Sequence, residues 1–328
     1  MTFYAPFSMN ITPYLQLMRP ANIITAMADI MAGFAVATTP FFLFLAHADS
    51  DASIHRLPLA HLLLLLLSTT GLYGGGVVMN DVFDAELDAV ERPERPIPSG
   101  RVSKSSAATL GIILLGTGIL LASQVSPTSG LIALMIALLA VIYDRWGKHT
   151  FLGPINMGMC RGGNLLLGMS ATPFLGSQAS EVFLKNGQAT TVGHYWYLAL
   201  IPIAYIAAIT TISRGEVHGG NKSALYLTFA LYGLVLLSIV VLGVNSALPI
   251  WYPLPFLALF TYLIFPPLTR AFRDRQPRNI GLAVKAGVIA LIVMDAAIAA
   301  SFAGWMYGLL VLTLLPISRY LARIFAIT

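Results

Sequence analysis

The chain has 328 residues, 57% of them hydrophobic and only 10% charged, a balance too apolar for an ordinary soluble domain. Its formal charge is +5, but no basic, aromatic-interleaved domain accompanies that excess, so nucleic acid is set aside as a partner. The single cysteine, Cys160, excludes a disulfide framework and a thiolate metal cluster.

Apolar stretches of about 20 residues, each enough for a helix to cross about 30 Å of hydrocarbon, recur along the chain. No basic residue precedes Arg19, so the charged start of a cleavable signal peptide is missing and the first span is expected to be retained. Gly, Pro and charge punctuation places spans near 21–46, 58–80, 106–125, 128–144 and 152–172. Five more are expected near 195–212, 223–245, 251–269, 280–301 and 303–320. The fold class is therefore all-α, a polytopic membrane bundle with nine core helices and a tenth at the C-terminus, forming one domain over residues 1–328.

The loops sort by charge. Arg92, Arg95, Arg101, Lys104, Arg145, Lys148, Arg214, Lys222, Arg270, Arg273, Arg275 and Arg278 fall on one side, with Arg56 and Lys185 on the other. Twelve against two makes the basic side, and with it the N-terminus, cytoplasmic. Arg319 and Arg323 follow the tenth stretch, which agrees with an even number of crossings.

Six of the fourteen acidic residues lie between positions 81 and 94, in NDVFDAELDAVERPERPIPSGR, which begins at Asn80. Asn80, Asp84 and Asp88 are spaced i, i+4, i+8 and share one face if the second helix continues past the membrane, with Asp81 flanking them. Carboxylates in such a row repel unless a cation lies between them, and hard oxygens suit Mg²⁺. The competing reading is a solvated helix end whose acids pair with Arg92, Arg95 and Arg101. At the interface the cost of burying charge is small, so it does not decide between the two.

The string NDxxDxxxD followed by RPERPIPSGRVS resembles the first aspartate-rich motif of the UbiA superfamily of intramembrane prenyltransferases. Arg19 and Pro20 in LMRPANI agree, as do Tyr143 at the end of the fourth span and Lys148 shortly after it. The stretches MGMCRGGNLLLGM (Met157–Met169) and ISRGEVHGGNK (Ile212–Lys222) are similar to an EboC-like branch.

That resemblance implies a helical bundle around a central cavity, a prenyl diphosphate held through Mg²⁺, and transfer of the prenyl group to an acceptor that is aromatic or another small hydrophobic metabolite. It implies a membrane-lipid surround and fits a bacterial inner membrane. Asn80, Asp81, Asp84 and Asp88 would hold metal, together with Glu216. Arg19, Lys148, Arg161, Arg214 and Lys222 would contact the diphosphate, and Asp84, Asp88, Lys148 and Tyr143 would serve the reaction. Breaking the allylic C–O bond puts negative charge on the leaving group, which metal and fixed cations stabilise. Apolar walls would keep water from the developing carbocation.

Some residues carry a second reading. Arg161 falls inside the fifth span, where a partner is required; a ligand role stands against an ion pair with Asp29 or Asp295. Gly74, Gly75 and Gly76 point to close helix packing, or to close approach of a ligand. Lys285 is expected to snorkel to the interface. His47, His55, His61 and His194 lie near outer ends without metal-ligand spacing.

The pattern departs from the family at the second aspartate-rich motif. After the sixth span, Ser213–Lys222 keeps one carboxylate, Glu216, with Ser213, His218 and Asn221 as uncharged donors and Arg214 as an added cation. One reading is an enzyme in which Arg214 and Lys222 compensate for the missing acids. The other is a non-catalytic membrane protein that binds a lipid diphosphate or passes a hydrophobic metabolite. The intact first motif beside Lys148 favours the enzyme.

Overall fold

The computed structural model describes residues 11–45, 57–171, 183–185, 188–190, 192–216, 219–246 and 248–325. A short helix α1 (Thr12–Met18) leads into α2 (Pro20–Leu45), α3 (Leu57–Phe83), α4 (Ala85–Glu91), α5 (Lys104–Val125) and α6 (Pro127–Arg145). Then follow α7 (Gly153–Met169), α8 (Leu200–Ser213), α9 (Lys222–Asn245), α10 (Leu254–Arg273), α11 (Pro277–Leu312) and α12 (Leu314–Phe325). Two three-residue strands, Phe183–Lys185 and Gln188–Thr190, pair antiparallel between α7 and α8, a small addition to the expected all-helical order.

Local chemistry sets the helix starts. The Ser103, Ser126 and Asn221 side chains accept hydrogen bonds from the backbone N–H groups of Ser106, Ser129 and Ser223 at 3.1, 3.0 and 2.9 Å, capping α5, α6 and α9. Pro127 and Pro277 open α6 and α11, where a missing N–H costs nothing.

Among the described residues, eight segments are long and apolar enough to cross a membrane, the last being the continuous run Pro277–Phe325. Two details reconcile this with ten expected stretches. Helix α7 is only 17 residues long. Helix α11 breaks at Gly304, whose φ of 83° is open to glycine and strained for a side chain. Beyond the break the chain returns along α2: Tyr307 donates to the Met31 carbonyl at 3.2 Å, and Ser318 to that of Ala21 at 2.9 Å. The tenth stretch therefore runs antiparallel to α2 as the end of α11 plus α12.

Helices α2 and α11 form the centre. Ala26, Ala28, Ile30, Ala32 and Val36 on α2 are fully buried, as are Ile292, Val293, Met294 and Ala296 on α11. A helix buried on every face needs no amphipathic stripe. Helices α5 and α9 instead turn Ile112, Leu120, Leu237 and Val244 outward, as surfaces meant for lipid.

Lipid tails are as apolar as leucine, so contact between helices depends on close fit through small residues. A Cβ added at Gly75 of α3 would sit 2.9 Å from the Gly111 carbonyl oxygen of α5, and one at Gly118 would sit 2.8 Å from that of Ser68. The Ser68 hydroxyl closes the seam by donating to the Gly118 carbonyl at 2.7 Å. Gly75 thus packs, whereas Gly76 lines the central cavity. Gly75→Val is expected to destabilise the bundle by about 1–3 kcal/mol through overpacking, read as a lower unfolding temperature in detergent.

His47, His55 and Arg56 lie outside the described residues, as does His218. His61 places its Nδ1 2.8 Å from the Ala171 carbonyl, a structural contact.

Candidate active site

A cavity of about 380 Å³ lies among α2, α3, α6, α7, α8 and α11. Leu72, Ile206 and Leu291 supply apolar wall; Arg19, Asn80, Tyr143, Asp144 and Arg161 supply the polar groups. A larger groove of 1140 Å³ between α8 and α9 is lined mainly by aliphatic side chains, with Arg214 at one end. The converging charges belong to the smaller space, which we take as the site.

Two charge clusters reach the cavity through Arg19, Asn80 and Asp144, with Asp84, Lys148, Asp81, Asp88 and Arg95 paired behind that lining. In the first, Lys148 pairs with Asp84, and the Asn80 amide stands between two acids. Asn80 Nδ2 donates to Asp84 Oδ2 at 3.3 Å and to Asp144 Oδ1 at 3.1 Å. Asp84 marks a slight break between α3 and α4 that keeps the helical bonds: its N–H reaches the Asn80 carbonyl at 2.9 Å, and the Asp88 N–H reaches the Asp84 carbonyl at 2.8 Å.

In the second cluster, Arg19 Nη2 meets Asp81 Oδ1 at 2.6 Å. Arg95 Nη1 meets Asp88 Oδ2 at 2.6 Å and Asp81 Oδ1 at 3.3 Å. Arg19 holds a left-handed φ of 50° between α1 and Pro20, a conformation disfavoured for a side chain and characteristic of functional positions.

Deeper in, Arg161 Nε lies 3.2 Å from Asp29 Oδ2, and its Nη2 donates to Thr25 Oγ1 at 3.1 Å. Asn164 donates to the same Asp29 oxygen at 3.0 Å and to the Ala26 carbonyl at 2.7 Å, while Thr69 donates to Asn164 at 2.8 Å. The fully buried Asp295 carboxyl lies near that of Asp29, and neither of its oxygens has a hydrogen-bond partner among the described residues. The guanidinium of Arg161 also stands 5.7 Å from the Tyr73 ring centroid.

The other expected residues sit elsewhere. Arg214 donates to the Thr150 carbonyl at 2.6 Å and borders the outer groove. Lys222 lies 5.8 Å from the Tyr226 ring centroid. Glu216 is half-buried near Gly281; burial raises its carboxyl pKa, against the opposing pull of Arg92. None of these three lines the cavity. Asp81 and Asp88 face arginines, so the row spaced i, i+4, i+8 is divided between two clusters.

Arg95 bridges Asp81 and Asp88, the pairing that the competing reading of the helix end named. One participant escapes the sequence reading. Asp144 stands between Tyr143 and Lys148, and its usable signal is its place within a span, four residues before that lysine.

Among the described residues, no three Asp, Glu, His or Cys side chains converge as a metal cage. The donors at the mouth are two carboxylates and an amide. The Asn80 nitrogen occupies a position between acids that suits a cation, and turning the amide over would present its oxygen there instead. Such hard oxygens fit Mg²⁺, which commonly keeps waters and shares substrate phosphates.

The UbiA prenyltransferase family profile matches residues 35–282, and the chain belongs to that family. It is 34% identical over 164 residues to the digeranylgeranylglyceryl phosphate synthase of Methanosarcina barkeri, covering 50% of this chain and 56% of the relative. For the Methanosarcina mazei synthase the identity is 36% over 189 residues, covering 56% and 63%. The chain thus spans about three fifths of the length of these curated relatives. Among solved structures, a UbiA homolog from Archaeoglobus fulgidus bound to GPP and Mg²⁺ superposes with a TM-score of 0.64 at 16% identity, over 92% of this chain and 99% of that one. A digeranylgeranylglyceryl phosphate synthase structure gives a TM-score of 0.60 at 20% identity, over 89% and 98%. At those identities the likeness speaks to the fold.

Proposed function

We propose that this chain is a Mg²⁺-dependent intramembrane prenyltransferase that moves an isoprenoid group from a prenyl diphosphate to a hydrophobic acceptor. The observation that carries the proposal is the cavity with apolar walls whose polar end holds Arg19 and Asn80, with the Lys148–Asp84 pair joined to Asn80 directly behind it. Asn80 and Asp84 would hold the ion. Bound there, Mg²⁺ would neutralise charge on the diphosphate.

The protein's own groups do the rest. Arg19 and Arg95, held by Asp81 and Asp88, form a cationic rim for phosphate oxygens, with planar forks suited to that geometry. Lys148, freed from Asp84, supplies a point charge to the leaving group. Tyr143 and the apolar walls exclude water from the allylic carbon. Arg161 is tied to Asp29 and acts from deeper in the cavity, while Glu216, Arg214 and Lys222 take no direct part. Lys148→Met is expected to lower kcat/KM for the prenyl diphosphate by about 10²-fold, as for loss of one charge-stabilising donor.

The acceptor in this reading is a glycerophosphate-type lipid. The relatives named as digeranylgeranylglyceryl phosphate synthases support it over the aromatic acceptor that the motif resemblance first suggested. The EboC-like placement rests on the stretches Met157–Met169 and Ile212–Lys222 alone. The loop charges support a cytoplasmic N-terminus and mouth, while one membrane domain in a bacterial inner membrane is what the motif resemblance implies.

The test is diphosphate release by purified protein given Mg²⁺ and labelled geranylgeranyl or farnesyl diphosphate, in parallel with geranylgeranylglyceryl phosphate and with a panel of aromatic acceptors. Release with the glycerophosphate, cut about 10³-fold in Asp84→Ala, is the expected result. Equal release by the two proteins removes the catalytic reading, and Mg²⁺-dependent binding without turnover replaces it with the non-catalytic one.

A further inference from the structure

The Asp144 carboxylate has a position that its neighbours do not account for. It is 5% exposed, lies at the end of a membrane-spanning helix, and lines the cavity. Its Oδ1 accepts from Asn80, but its Oδ2 has no hydrogen-bond partner among the described residues and is shut off from water. The nearby ammonium of Lys148 is engaged by Asp84. An ionised carboxylate with one bare oxygen in such surroundings is unstable unless a cation completes it.

The direction in which it points is equally informative. Asn80 comes from the end of α3 and Asp84 from the break just after it, whereas Asp144 comes from α6, so the two acids approach one amide nitrogen from different sides. That is the two-sided arrangement a divalent ion needs, and it exists although Glu216 does not line the cavity. An acid from α6 thus supplies a second side to the site without a contribution from the loop after α8.

We infer that Asp144 is a metal ligand, completing with Asn80 and Asp84 a divalent-cation site between α3 and α6 that replaces the carboxylates missing after α8. This rests on the proposed Mg²⁺-dependent binding of a diphosphate, and assigns the opposing half of that site. Lys148, four residues further along, then meets the same phosphate from the side of α6.

The test reads metal directly. Mn²⁺ binding to the full chain in detergent, with inorganic pyrophosphate present, is followed by electron paramagnetic resonance. Asp144→Asn is expected to weaken Mn²⁺ binding by about tenfold or more, with Asp144→Glu recovering part of it and metal-free melting unchanged. A second measurement needs no variant: Fe²⁺ with peroxide, loaded into the wild-type protein, is expected to cut the backbone near both Asp84 and Asp144. Wild-type affinity in Asp144→Asn, or cuts near Asp84 alone, overturns the assignment while leaving diphosphate chemistry intact. Wild-type protein that binds no Mn²⁺ even with pyrophosphate overturns both the assignment and the reading beneath it.

Discussion

Asp84→Ala is expected to lose about 10³-fold in prenyl diphosphate turnover, at the upper end for removing one electrostatic contact and reasonable for a residue serving two. The loss has two sources. The carboxylate is a proposed metal donor, and it also fixes Lys148 at the mouth. The effect on folding should be much smaller, because the side chains of Asp84 and Lys148 keep 18% and 16% of their exposure and a stranded ammonium there can reach water. Turnover and the unfolding temperature, measured on the same preparation, separate these expectations. A large fall in the unfolding temperature with proportionate loss of turnover would make Asp84 a structural residue. An unchanged Mg²⁺ dependence of the residual rate would remove it from the metal site.

The helices are legible in the sequence because the solvent imposes them. Length and hydropathy locate a span whatever its neighbours, since backbone groups in hydrocarbon must bond within the helix. The ends are less so: the break at Gly304 precedes the segment that bonds to α2 through Tyr307, a long-range contact that a run of apolar residues does not encode. At the site, spacing puts Asn80, Asp84 and Asp88 on one face, but it does not say which acid meets which base. Asp88 is claimed by Arg95, seven residues on through a turn, and Asp144 arrives from another helix altogether. Arg161 shows the opposite case. A guanidinium within a span requires a partner, so the scarcity of intramembrane acids is enough to single out Asp29 and Asp295. Nearness in sequence groups Glu216, Arg214 and Lys222, but the turn after α8 sends each to a different neighbour.

Arg161→Met should be the most destabilising single change in the molecule, by about 3–5 kcal/mol, the range for stripping one partner from a buried ion pair. Asp29 and Asp295 are fully buried near each other, and among the described residues Arg161 is the cation beside them. Without it, Asp29 keeps Asn164 as a donor, but no charge offsets the acids. The penalty lies in the stranded acids, not in the lost contact itself. It should therefore shrink in a background of Asp29→Asn and Asp295→Asn, where the carboxyls become neutral amides. The coupling between the changes is expected to be about 3 kcal/mol, near the upper end for residues in one network, measured by denaturant unfolding in detergent. Additive effects would mean that Arg161 is held by packing and by Tyr73 instead. If the triple variant folds well but still fails to bind prenyl diphosphate, the guanidinium reaches the ligand as well as Asp29, and the cavity wall and the substrate compete for the same charge.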